Sequence, residues 1–220
     1  QLVALSPSMG PTTPYAVRRD YLNALIGVQV DAAKMGDADA TIAKLQALAQ
    51  ENKDDIGMVL ATSRAASMMA LAGKSEAAIV KLTAIEPIAF RTANPQALWN
   101  FYSALGNAQL TVGRFELALA SALKGLQFAK EHTQGETAAH MRSLNLIANV
   151  YMAMTNWDKA LQVVQEGLVI ATEVGSVKLA GTFYLNQGAI FTSLGRAKPA
   201  LESYERALKI GQQAGLVGLQ

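Results

Sequence analysis

The sequence predicts an all-α chain built from repeated helix pairs, and three observations carry that prediction. From Tyr15 onward the chain is a long Ala- and Leu-rich helical pattern with few β-branched runs. Half of its six prolines, Pro7, Pro11 and Pro14, are confined to the first 14 residues, which read as an extended lead-in. Three later segments, Leu105–Ala118, Ile147–Ala160 and Gln187–Ala200, align with one another without gaps.

Composition narrows the function classes. The 220 residues include 19 Lys+Arg and 17 Asp+Glu, a formal charge of +2, with 51% hydrophobic and 16% charged residues. That is too apolar for a disordered chain. The balance lacks the basic excess of a nucleic-acid binder, so no nucleic-acid partner is expected. There is no Cys, hence no disulfide, thiolate zinc site or Cys nucleophile. No run approaches about 20 apolar residues, so no membrane span is expected.

The aligned segments share a register. Gly106, Gln109, Gly113, Phe115 and Ala118 correspond to Ala148, Tyr151, Thr155, Trp157 and Ala160. They correspond again to Gly188, Phe191, Gly195, Ala197 and Ala200. A fourth copy lies around Ala66, Met69, Gly73 and Ala78, and a weaker fifth around Gln29, Gly36 and Thr41. This pattern of a small residue, a large one, a turn glycine, an aromatic and an alanine resembles the tetratricopeptide repeat over residues 15–215.

The resemblance implies a right-handed superhelical α-solenoid of antiparallel helix pairs, with about five repeats. Their expected bounds are 15–53, 54–93, 94–134, 135–175 and 176–215. Residues 216–220 fall where a next helix begins, so the natural polypeptide is expected to continue as part of a longer protein. The small residues let paired backbones approach. Gly36, Gly73, Gly113 and Gly195 are expected to take the left-handed conformation that ends a helix. Phe115 and Trp157 are expected to fill the wedge behind the turn.

The copies are spaced by 40 (Ala66 to Gly106), 42 (to Ala148) and 40 (to Gly188) residues, against about 34 in the usual repeat. The extra residues must lengthen the helices. First helices are expected near 15–35, 55–72, 95–112, 136–154 and 177–194. Their partners are expected near 38–52, 75–89, 115–132, 157–174 and 197–214. Asn94-Pro95 suits a helix start, Pro199 a first helical turn, and Asp37 and Asp39 an anionic start.

Catalytic chemistry is not expected. Gly73-Lys74-Ser75 looks like the end of a phosphate-binding loop, but Met68 stands where that motif needs glycine, and no strand precedes it. His132 and His140, the only histidines, read as surface residues without a ligand cluster. Asp54-Asp55 reads as a helix cap. Neither a metal nor another cofactor is expected.

The resemblance places ligand contacts on the first helices, which line a concave groove. The corresponding stripe holds Asn100, Ser103 and Asn107 in the third pair, and Arg142, Asn145 and Asn149 in the fourth. In the fifth it holds Thr182, Leu185 and Ala189, with Asn186 beside them, and Ser63 and Ser67 occupy it in the second. Asn107 and Asn149 share one repeat position and are expected to form a ladder. Asparagine both donates and accepts, so it can read a peptide backbone irrespective of sequence. No lysines match the two-Lys, two-Asn, one-Arg clamp of chaperone-tail-binding members, so a carboxylate clamp is not expected.

The expected function is a non-catalytic module that binds a peptide or protein in this groove. It resembles the sensory or scaffolding region of a bacterial signalling protein such as a diguanylate cyclase. A periplasmic location is expected, with a cytoplasmic one as the alternative. Two other functional readings stand beside it. One is a fragment of a peptide-responsive cytoplasmic transcriptional regulator. The other is a structural scaffold that forms a homodimer through Leu216, Val217 and Leu219.

Overall fold

The computed structural model describes residues 10, 12–132 and 137–214. The described residues form ten helices and no strands. They are α1 (Tyr15–Asp31), α2 (Met35–Glu51), α3 (Asp55–Leu71), α4 (Ser75–Thr92), α5 (Pro95–Thr111), α6 (Phe115–His132), α7 (Thr137–Ala153), α8 (Trp157–Glu173), α9 (Val177–Ser193) and α10 (Ala197–Ala214). The architecture is an all-α repeat solenoid of consecutively packed helix pairs. Each helix has 17 or 18 residues, or about 26 Å of rise. The long period therefore lengthens both helices of a pair. Leu216, Val217 and Leu219 lie outside the described residues.

The chain divides into two compact units, Gln1–Val112 and Gly113–Gln220. In the first, α1 packs on α2, α2 on α3, α3 on α4 and α4 on α5, while α3 also meets both α1 and α5. In the second, α6 through α10 pack in succession, and α7 also meets α9. Within each unit the first helices thus touch one another, α1 with α3, α3 with α5, and α7 with α9.

Local chemistry fixes the helix ends. Asp54 Oδ1 and Oδ2 accept from the backbone N–H groups of Ile56 and Gly57, each at 3.0 Å, and cap α3. Asn94 accepts from Ala97 N at 2.9 Å, with Pro95 in the first helical position of α5. The C-terminal ends share one device. At the α3–α4 turn, Gly73 N donates to Ala70 O at 3.0 Å and Lys74 N to Met69 O at 2.8 Å. Gly73 takes φ +75° to make this possible. The same pair of bonds recurs at Thr155/Asn156 and Gly195/Arg196.

One expected turn lies elsewhere. Gly36 falls within the first turn of α2, and the left-handed residue is Ala33, with φ 56°. Ala33 is 40 residues before Gly73, so it keeps the repeat in register, and buried Ala38 then stands where Ala78 does. Thr41 is therefore not the counterpart of Ala78. Thr155 is the non-glycine member of the same series in the second unit, at φ 56°.

Each unit has its own apolar interior. Ile26, Leu45, Leu60, Leu82 and Phe101 are fully buried in the first, as are Met141, Leu144, Val164, Phe183 and Ile190 in the second. Each contributes about 2 kcal/mol by burial. Small residues set the helix spacing. A Cβ on Gly167 of α8 would collide with the ring of Phe183 in α9, and one on Gly188 of α9 would lie 2.6 Å from the ring of Tyr204 in α10.

These contacts predict different costs for the same change. Phe183 is buried and cannot yield, so Gly167→Ala costs about 1–3 kcal/mol in urea unfolding. Tyr204 is exposed and can swing, so Gly188→Ala stays within about 1 kcal/mol of the parent. In the same assay Thr155→Gly, which relieves a β-branched residue from the left-handed region, stabilises by about 1 kcal/mol.

Candidate functional site

The second unit brings three stripe residues together. Asn145 and Asn149 lie one turn apart on α7, and Asn186 faces them from α9. Asn186 Nδ2 donates to Asn145 Oδ1 at 2.9 Å and to Asn149 Oδ1 at 3.1 Å. One amide thus bridges two repeats with both of its protons. Asn186 Oδ1 and the Nδ2 groups of Asn145 and Asn149 engage no further partner among the described residues. All three side chains are half-buried, which holds them in place while leaving polar edges accessible. Arg142 is exposed one turn before Asn145. Thr182 turns back on its own helix, with Oγ1 donating to Lys178 O at 3.1 Å.

The first unit treats the equivalent stripe differently. Asn100 departs from the expected ligand-facing role: it is 5% exposed, and its Nδ2 donates to Gln96 O at 2.9 Å. Ser63 is buried as well, and Ser67 donates to Ser63 O at 3.0 Å. Ser103 is half-buried. Asn107 is exposed, and its Nδ2 donates to Ser103 O at 2.8 Å.

A polar cross-link that the sequence reading missed occupies the first unit. Arg64 Nε donates to Asn23 Oδ1 at 2.9 Å, from α3 to α1. Asn23 stands ten residues before the turn residue Ala33, as Asn145 stands before Thr155. Arg64 stands nine before Gly73, as Asn186 does before Gly195. The signal was the repeat register itself, hidden by assigning the first turn to Gly36 instead of Ala33.

Two ionisable groups are shifted by their surroundings. His140 on α7 has a side chain only 19% exposed, so it is not a surface histidine. Burial foremost, together with the positive charge of Lys130, lowers its pKa despite Glu166 at 3.9 Å. It is therefore held neutral below the usual histidine range. The side chain of His132 lies outside the described residues. Asp54 sits in a structural cluster in the first unit. Burial alone would raise its pKa, but hydrogen bonds from Tyr15, Arg19 and the Gly57 backbone bring it below the ordinary carboxylate value. Burial and Asp54 push Tyr15 the other way, upward.

The described residues contain no group of three or more His, Cys, Asp or Glu side chains able to hold a metal ion. No described helix is long and apolar enough to cross a membrane. Gly73-Lys74-Ser75 is the left-handed turn between α3 and α4, with no strand before it. The Asn145–Asn149–Asn186 face offers hydrogen-bond donors and acceptors and one guanidinium nearby, a set suited to binding.

Helix pairs with a small-residue seam and a left-handed turn at a fixed place define a helical-repeat scaffold, a class of protein-binding fold. The tetratricopeptide repeat pattern matches residues 138–213, which span α7 to α10. The human outer dynein arm-docking complex subunit 4 is 28% identical over 115 residues, 52% of this chain and 15% of that protein. The chain thus matches only a small part of that relative's length. Among solved structures, PlcR from Bacillus thuringiensis, in complex with the peptide PapR7 and DNA, aligns with a TM-score of 0.76. Identity is 12%, covering 90% of this chain and 71% of that one. A STAND protein with a tetratricopeptide repeat sensor from Pyrococcus horikoshii aligns with a TM-score of 0.71 at 19% identity, covering 90% and 30%. These likenesses show the fold.

The Asp54 cluster gives a pH prediction. A carboxylate with a depressed folded-state pKa stabilises the fold above its unfolded value, about 3.8. That contribution is lost as pH falls further, through the folded value. Asp54→Asn keeps a good helix cap but has no charge to titrate. Its urea midpoint should therefore fall less than that of the parent between pH 5 and pH 2.

Proposed function

We propose that this chain is a binding module whose α7–α9 face takes an extended peptide segment of a partner protein. The bridged amide trio carries this reading. Free asparagines on a helix cost helix stability and change rotamers readily. Here Asn186 holds Asn145 and Asn149 in set orientations, and their remaining groups are the donors and acceptors that a peptide amide pairs with. Preorganised polar groups lose less entropy when a ligand arrives. Exposed Arg142 lies one turn away, where it can reach a carboxylate or carbonyl of the same segment.

A role as the sensory or scaffolding part of a larger signalling protein is consistent with this face. The similar PlcR structure holds a peptide, and the Pyrococcus repeat region is described as a sensor. Binding would act by tying α7 to α9 more firmly, because the ligand and the two helices would share one hydrogen-bond network. The partner is expected to contribute mainly backbone, so affinity should tolerate side-chain changes in the peptide more than loss of its amides.

Panning a displayed random-peptide library against the whole chain tests the proposal. Selected peptides should bind Asn149→Ala/Asn186→Ala at least tenfold more weakly, with unchanged helical circular dichroism. Equal binding to the folded double variant would show that this face is not the site.

A further inference from the structure

A second binding feature lies in the first unit and does not depend on the α7–α9 reading. Between the start of α2 and the C-terminal end of α3 is an open cavity of about 600 Å³. Its walls include Met35, Asp39, Met68, Met69, Ala72 and Lys74. The size is that of a small-ligand site. Leu71, also at this cavity, is 67% exposed.

The second unit shows which side chains stand at the corresponding positions. Met35 and Asp39 stand two and six residues after the left-handed Ala33, while Trp157 and Leu161 stand two and six after Thr155. Met68 and Ala72 stand five and one before Gly73, while Ile190 and Leu194 stand five and one before Gly195. In the second unit Ile190 belongs to a buried cluster, and partly buried Trp157, Leu161 and Leu194 pack against it. In the first unit a flexible methionine replaces the indole, a carboxylate replaces one leucine and an alanine the other. Those exchanges remove the side-chain volume that closes the equivalent place, and a cavity remains.

We propose that this cavity is a docking site for a tryptophan side chain presented by a partner protein. The chain's own Trp157, at the position of Met35, packs its indole against the second unit's cluster. Met35, Met68 and Met69 offer polarisable thioethers, which pack well against aromatic rings and adapt to their edges. A buried indole also needs an acceptor for its N–H. Asp39 supplies one on the cavity wall, where the second unit has only Leu161. This distinguishes tryptophan from phenylalanine, which has no N–H to offer the carboxylate of exposed Asp39. Lys74, also on the lining, offers a donor to a carbonyl of the segment that carries the tryptophan.

The probe is N-acetyl-tryptophanamide, titrated against the full chain carrying ¹³C-methyl methionine. The Met35, Met68 and Met69 methyl signals should shift and saturate with a millimolar dissociation constant, as expected for a ligand of this size. Met141 and Met152 should not move. N-acetyl-phenylalaninamide should bind more weakly, and Asp39→Asn should weaken the tryptophan probe by about two- to tenfold. Met35→Trp restores the residue type of the second unit and should abolish the Met68 and Met69 shifts. Ala72→Leu, which copies Leu194, provides the same test by a smaller change. The proposal is overturned if the three methyls do not shift, or if Met141 and Met152 shift equally. Unchanged binding in either folded cavity-filling variant also overturns it, as does equal affinity for the phenylalanine probe.

Discussion

The left-handed residue that closes the first helix of each pair is the constraint on which the rest of this structure depends. It reverses the chain within a few residues and satisfies two carbonyl groups at the helix end with the N–H groups that follow. Because the paired helices have nearly constant length, the position of that residue sets the register of every side chain before and after it. The buried alanines Ala38, Ala78, Ala118, Ala160 and Ala200 all stand five residues after it. Glycine occupies the position at Gly73, Gly113 and Gly195, while Ala33 and Thr155 adopt the conformation at a steric cost. Tertiary packing holds those two turns in place where local preference does not.

Most of the architecture was legible in the sequence because it is repeated. The helix positions follow from the period, and Asn94-Pro95, Asp54 and Gly73 mark ends through local chemistry visible in single residues. The first turn was obscured because glycine is a strong turn signal and Gly36 lies three residues from Ala33. The spacing of 40 residues was the better guide, since packing enforces it across repeats. The same misreading concealed Asn23 and its bond to Arg64.

The candidate site was only partly legible, for a different physical reason. A helical stripe gives the direction of a side chain but not what covers it. Asn100 shares its stripe with Asn107, yet packing buries only the former. The joining of Asn186 to both Asn145 and Asn149 depends on how far α9 is displaced from α7. Sequence position could select the three asparagines, but only packing could make them one network.

Equivalent positions in the repeats therefore do separate jobs. Nine residues before the turn, Arg64 grips an asparagine as a cation, while Asn186 grips two as an amide. The first arrangement joins one repeat to its neighbour through a guanidinium that donates to both the side chain and the backbone carbonyl of Asn23. The second joins them while leaving amide edges for another molecule. Two residues after the turn, Trp157 closes a packed cluster, while Met35 borders a cavity. In both comparisons the backbone frame is kept and one side chain decides whether the position is used for cohesion or left open. A repeat fold can support such exchanges because each pair is held by its turn and its alanine seam, which these positions do not supply. Binding capacity can then differ between the two units without a change of fold.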